Sequence, residues 1–223
     1  MTCDSQSVRT PLSNDPRILT LARMHRTIEP KILYFGTPVV LVSTLNEDGS
    51  ANLAPMSSAW WLGQSCMLGL GQQSKTVENL RRHPQLVLNL PSADMVETVD
   101  RLALTTGKDP IPEYKTRMGF KFEPQKFSHA NLTAMPSELV TPPRVLECPV
   151  QLEATVHEMR NFEGHHALAI EARIVRVHID ESLLNADKRH HIDADKWRPL
   201  IMSFCEFYGL GEQLHPSRLA KVF

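Results

Sequence analysis

The chain has 223 residues, with 24 Lys+Arg against 25 Asp+Glu and a formal net charge of -1. At roughly 100–200 residues per domain, that length fits one large domain or one domain with additions. A hydrophobic content of 42% excludes global disorder, and the balanced charge, with a pI near 6.8, excludes a general basic field for nucleic acid or an anionic membrane.

No run comes near the roughly 18 apolar residues of a membrane span. Residues 1–14 are polar and carry no apolar signal segment. A soluble, cytoplasmic protein is expected, with neither nucleic acid nor membrane as partner. The four cysteines, Cys3, Cys66, Cys148 and Cys205, form no CxxC pair, so neither a zinc knuckle nor a disulfide framework is indicated. The apolar neighbours of the last three predict reduced core residues.

In chain order, residues 1–17 read as a flexible N-terminal arm ahead of a single domain over 18–223. Ile18, Leu21, Ala22 and Ile28 share a helical face, which predicts a short helix over 18–28. The β-branched run 37–45 is a strand, and Asp48-Gly49 after it is a hairpin turn, because glycine accepts the positive φ required there. The returning strand, 50–58, carries Asn52, Pro55, Ser57 and Ser58, unusual for a core strand; Pro55 removes a ladder donor and implies an edge or a break. Residues 66–71 form a third strand. A helix follows over 76–83, closed by Pro84, then a buried strand over 85–90 and a helix over 93–105. Proline-rich 107–146 reads as a long wrapping segment with little regular structure, a kind of segment that is often functional. Strands return over 151–156, where Leu152, Ala154 and Val156 oppose Gln151, Glu153 and Thr155, and over 167–179, with a loop at 161–165. This order is no βαβα repeat, so it predicts a mainly β fold, an antiparallel barrel with inserted helices.

The scattered glycines form neither GxGxxG nor GxxxxGK[ST], and HExxH and GxSxG are absent. One constellation stands out: Ser74-Lys75-Thr76 entering a helix just after a strand end. Hydroxyls, free N–H groups and a lysine at a helix start suit an anion, although Ser74 as a plain N-cap beside a solvated Lys75 fits the same residues. A second is the interrupted strand 52–58, whose amide and hydroxyls can face a flat polar ligand; an edge strand with ordinary serines is the alternative.

Taken together, Asn52-x-Ala54-Pro55-x-Ser57, Ser74-Lys75-Thr76-x-x-Asn79, Leu88-Asn89-Leu90, Pro136-Ser137, Pro142-Pro143-Arg144-Val145-x-Glu147-x-Pro149-Val150 and Tyr208-Gly209-Leu210-Gly211 resemble the flavin reductase-like family of FMN-binding split β-barrels, flavoredoxins included. The resemblance spans roughly residues 33 to 215. It implies a six-stranded antiparallel Greek-key barrel, a homodimer with FMN near the interface, and hydride transfer from NADH or NADPH to flavin. Carried onto this chain, it places Asn52, Ala54, Pro55, Met56, Ser57 and Ser58 along the flavin ring and ribityl chain. Ser74, Lys75 and Thr76 take the phosphate, and Asn89 is placed among the cofactor-binding residues, either at the group or supporting its loop. Met56 and Trp60 are apolar wall candidates. No acid or base is needed for hydride transfer, so the catalytic assignment stays open, with His215 a candidate near the nicotinamide.

The pairs His165-His166 and His190-His191 lie in polar stretches and read as solvated loop residues; adjacent histidines cannot easily converge on one metal, so no metal site is expected. Arg81-Arg82-His83 and the lysines at 121 and 126 are basic spots that suit a phosphorylated nicotinamide or, more simply, solvated faces. Two other readings share the sequence: a non-catalytic, flavoredoxin-like electron carrier using the same site, and a histidine-rich metal-binding barrel.

Overall fold

The computed structural model describes residues 25–162, 166–188 and 190–222. Contacts divide the chain into Met1–Leu33 and Tyr34–Phe223, whereas the sequence drew its boundary at 17/18. The expected arm lies outside the described residues, as does most of the helix expected over 18–28; residues 25–28 are not helical.

The elements of the second unit are β1 (Phe35–Pro38), β2 (Val40–Leu45), β3 (Ala51–Met56), β4 (Ala59–Leu62), β5 (Ser65–Gly71), α1 (Lys75–Arg82), β6 (Gln85–Leu90), a 3-10 turn (Ala93–Met95) running into α2 (Val96–Arg101), β7 (Thr105–Thr106), α3 (Glu113–Arg117), β8 (Lys121–Phe122), α4 (Lys126–His129), β9 (Ala134–Met135), β10 (Arg144–Val145), β11 (Val150–Asn161), β12 (Ala167–Ile179), β13 (Leu200–Ser203) and β14 (Glu206–Gly209). The expected helix over 93–105 stops at Arg101. Leu104 then takes a positive φ of 53° and the chain enters β7. The 107–146 segment holds only short pieces of structure, as its prolines predict.

The main sheet is antiparallel, in the order β3-β2-β6-β11-β12-β5-β4. Its edges, β3 and β4, are two halves of one segment interrupted at Ser57 and Ser58. At the break the Gly69 N–H donates to the Ser58 carbonyl at 2.8 Å. The sheet therefore curls until segment 51–62 forms both of its edges, and six chain segments make the barrel. β2, this broken strand and β5 are successive neighbours, and β6 returns beside β2, the arrangement of a Greek key. Pro55 sits just before the break, where a missing donor costs least.

The barrel interior is aliphatic: Val40, Val42, Leu68, Leu86, Leu88 and Ile170 are each 0% exposed. A second apolar layer lies outside, where Leu41 and Leu53 meet Val99, Leu102, Leu132 and Val145. Both faces of β2 are thus covered, which explains its unbroken apolar run. Trp61 packs against the interior while Trp60 is 57% exposed, the split that strand alternation demands. Cys66 and Cys148 are buried and their thiols are pushed up by burial, Cys66 to about 12. Cys205 corrects the core expectation: it is exposed in the tight turn between β13 and β14, where Phe204 and Cys205 both adopt positive φ. No helix among the described residues is long and apolar enough to cross a membrane.

Candidate functional site

The broken strand and the start of α1 open onto one cavity of about 660 Å³, within the span of roughly 300–1,000 Å³ typical of small-molecule sites. Asn52, Ala54, Pro55, Met56, Ser57, Ser58, Ser74, Lys75 and Thr76 all line it. So do Val99 on α2, Leu102 and Leu104 after it, Tyr114, Lys115 and Met118 on and after α3, Lys126, and Cys205 and Phe207 of the C-terminal hairpin.

At one end, α1 begins with unsatisfied donors. Ser74 is its N-cap, and its Oγ accepts from the Val77 N–H at 3.2 Å. Because the acceptor lone pair is used, the Ser74 hydroxyl hydrogen remains available to a ligand. The first intrahelical bond runs from the Glu78 N–H to the Ser74 carbonyl, so the Lys75 and Thr76 N–H groups precede it and have no partner within the helix. Asn52, 2% exposed, joins strand to helix: its Nδ2 donates at 3.4 Å to Thr44 Oγ1 and to Thr76 Oγ1. Asn79 adds a bond to Thr44 Oγ1 at 3.1 Å and one to Asn46 Oδ1 at 3.0 Å, tying the helix to the hairpin turn rather than to the cavity.

Lysines gather here. Lys75 Nζ donates to Glu78 Oε1 at 2.6 Å, and Lys108 pairs with Glu78 Oε2. These two bonds hold the Glu78 carboxyl down at about 2, so it stays anionic at any working pH. Lys115 donates to Thr106 Oγ1 at 3.3 Å and lies 5.2 Å above the Phe120 ring. Burial, and then the charge of Lys108, lowers its pKa. Lys126 is held down to about 8, first by burial and then by Lys115.

Four sequence expectations need correcting. Asn89 does not line the cavity. Its Nδ2 donates to the Leu41 carbonyl at 3.0 Å and its Oδ1 accepts from the Val145 N–H at 2.8 Å, pinning the wrapping segment to the barrel. Asn89→Ala should therefore cost about 1–3 kcal/mol of stability, the penalty for stranding buried backbone groups. Denaturant unfolding should show that loss. Trp60 faces outward and is absent from the lining, and Lys126 is buried rather than a solvated charge. His215 is exposed and is not among the described residues that line the cavity. Likewise His166, His190 and His191 are exposed, His165 lies outside the described residues, and no group of three or more His, Cys, Asp or Glu converges among the described residues.

Sequence reasoning missed Lys115 as a cavity residue and Lys108 as a partner of Glu78 beside the start of α1. They come from the proline-rich segment, which has no periodicity to say which side chains turn inward. Its only usable signal was the recurrence of lysine between 108 and 126.

The flavin reductase like domain family matches residues 32–209. The uncharacterized protein YdfE of Bacillus subtilis (strain 168) is 42% identical over 193 residues, covering 86% of this chain and 92% of its own length. Among solved structures, flavoredoxin of Desulfovibrio vulgaris (Miyazaki F) superposes with a TM-score of 0.73 at 24% identity, covering 89% of this chain and 100% of that one. Nitrilotriacetate monooxygenase component B from Bacillus cereus does so with a TM-score of 0.70 at 18% identity, covering 87% and 100%. At such identities these two structures bear on the fold alone.

Proposed function

This chain belongs to the flavin reductase-like family, and from that premise we propose that it is an oxidoreductase that holds FMN in this cavity and takes electrons from NADH or NADPH. The observation that supports this most is the cavity's two unlike ends. One is a helix start with a lysine, a hydroxyl hydrogen and free N–H groups, suited to a phosphate. The other is a broken strand with apolar walls, suited to a flat ring.

The residues present fit a flavin. Gly107 has no room for a side chain, since a Cβ there would stand 2.8 Å from Asn52 Oδ1; bare backbone is thus kept close to the polar end of the cavity. Bound flavin supplies two-electron chemistry, accepting a hydride from a reduced nicotinamide and passing the electron pair to an acceptor. The chain's own work is to bind and orient. Lys75 and the first N–H groups of α1 hold the phosphate. Ser57 and Ser58, where β3 breaks, offer hydroxyls that are not committed to the ladder. Val99 and Leu102, both buried, would wall the ring from water. Glu78 holds the Lys75 ammonium in place, so a phosphate would meet a positioned cation.

A second copy of the chain is proposed to cover the outer surface, where Trp60, Leu62 and Phe35 are 57%, 77% and 73% exposed, and Phe204 packs edge-on to Phe35 with centroids 4.9 Å apart. Light scattering tests that assembly. For the cofactor, purified protein should take up FMN with the usual oxidised-flavin bands. Lys75→Ala should weaken FMN about tenfold or more, the worth of a charge-assisted hydrogen bond, and leave riboflavin, which lacks the phosphate, little affected. Parallel titration with FAD decides between the two nucleotides. A colourless protein with no flavin titration would end this reading. Flavin-loaded protein that oxidises NAD(P)H only through a protein partner would make it a carrier.

A further inference from the structure

Lys126, the first residue of α4, stands apart from the other lysines of the cavity. It is 3% exposed, and it lines the cavity wall beside Val99 and Leu102. Its ammonium is not among the sealed, unpartnered atoms, so it keeps some access to solvent. Among the described residues, neither a hydrogen-bond acceptor nor a carboxylate lies within bonding distance of it. Glu123, the acidic group that acts on it, is engaged elsewhere: one oxygen accepts from the Gln125 N–H at 2.7 Å and the other lies 3.4 Å from His129 Nδ1.

Lysine stems often lie along apolar surface while the ammonium reaches water. Here the side chain lines the cavity, and the strongest charge acting on it is repulsive, from Lys115, ahead of the attraction of Glu123. A buried cation set beside a second cation is unfavourable until an anion joins them, and unpaired charges of this kind gather at functional sites. Lys75 and Lys108 are already matched by Glu78. Lys126 is not among the charges acting on Glu78, and α4 packs against β3. Lys126 therefore lines the same cavity without a share in the Glu78 pairing, and a flavin mononucleotide brings only one phosphate.

We propose that Lys126, backed by Lys115, is an oxyanion subsite distinct from the start of α1, and that it receives the carboxylate or phosphate of the molecule that reacts with the flavin. This rests on the cavity being a flavin site. It assigns the second reactant to a class, the small organic oxyanions.

The test uses flavin-loaded protein and two probes, inorganic phosphate and acetate. Each is titrated while the flavin absorbance is followed, in wild type, Lys126→Met and Lys126→Arg. The wild type should show a saturable perturbation with at least one probe. Lys126→Met should weaken it tenfold or more while its FMN affinity stays within threefold of wild type, and Lys126→Arg should restore it. The probe that saturates at lower concentration tells phosphate from carboxylate. A perturbation retained in Lys126→Met overturns the subsite. So does a tenfold loss of FMN affinity in that variant, which would put Lys126 on the flavin's own phosphate. A shifted flavin potential with no anion effect would put it on the ring and equally overturn the proposal. A wild type that binds no flavin at all removes the parent reading and this one together, and is seen before any variant is made.

Discussion

Gly107→Ala should weaken FMN binding about tenfold or more while leaving the barrel folded, because overpacking of roughly 1–3 kcal/mol is concentrated on two site residues. The added Cβ would stand 2.8 Å from Asn52 Oδ1 and 3.3 Å from Lys75 Cγ. Asn52 cannot swing aside freely, since its amide bonds to Thr44 and Thr76 and it is nearly sealed from solvent. Thr44 also accepts from Asn79 on α1, so displacing Asn52 disturbs the helix start as well. Lys75 moves more easily, but only by leaving Glu78. Gly211→Ala is the control, because a Cβ there meets nothing within 4 Å. Fluorescence titration with FMN and a thermal melt measure both halves. Unchanged FMN affinity in Gly107→Ala would mean that the flavin does not use the end of the cavity formed by Asn52 and Lys75.

Most of the barrel was legible because its strands alternate or run apolar without interruption. The runs 85–90 and 167–179 became β6 and β12 with the expected bounds. Asp48-Gly49 made its turn, with Gly49 at a φ of 81°. The break in segment 50–58 was readable from Pro55, although nothing local said that its two halves would form opposite edges of one sheet. That is a closure property, set by pairing partners far away in sequence. The same limit hid the lysines. Lys75 could be placed because a helix start has a fixed geometry, whereas Lys108, Lys115 and Lys126 take their positions from how an aperiodic segment drapes over β3. Alternation along β11 was read correctly, but alternation alone does not give the environment of either face. Gln151 and Glu153 oppose the core side as expected, yet they are 6% and 0% exposed, because the 134–148 stretch lies over them. Gln151 donates to the carbonyls of Val145 and Cys148 at 2.7 and 2.9 Å. Polar residues on the outer face of a strand were anchors for a covering segment, and one sequence does not separate that from solvent.

Glu153 is the strongest of those anchors, and Glu153→Gln should cost about 3–5 kcal/mol, the penalty for breaking a buried charged network. Its carboxylate accepts from the backbone N–H groups of Glu138, Leu139 and Val140 at 2.8, 2.6 and 3.1 Å, and lies 2.6 Å from His178 Nε2. A glutamine keeps one acceptor oxygen and turns an NH₂ toward donors, so at least one buried N–H is stranded. Burial alone would raise the Glu153 carboxyl, but the backbone bonds and His178 together hold it below the ordinary range. The sign follows: a carboxyl lowered in the fold stabilises fully above its unfolded value of about 4.3 and loses that contribution as pH falls through the folded value. The gap between wild type and Glu153→Gln should be widest near neutrality and should narrow in acid, as denaturant unfolding at several pH values will show. A gap that is constant or grows on acidification would mean that Glu153 is not ionised in the fold. The loss should also reach the cavity. Residues 138–140 lead directly to Val145, which packs in the outer apolar layer with Val99 and Leu102, and both of these line the cavity wall beside Lys126. Freed from Glu153, that layer loses its outer restraint, so FMN affinity should fall along with stability, and by less than in Gly107→Ala.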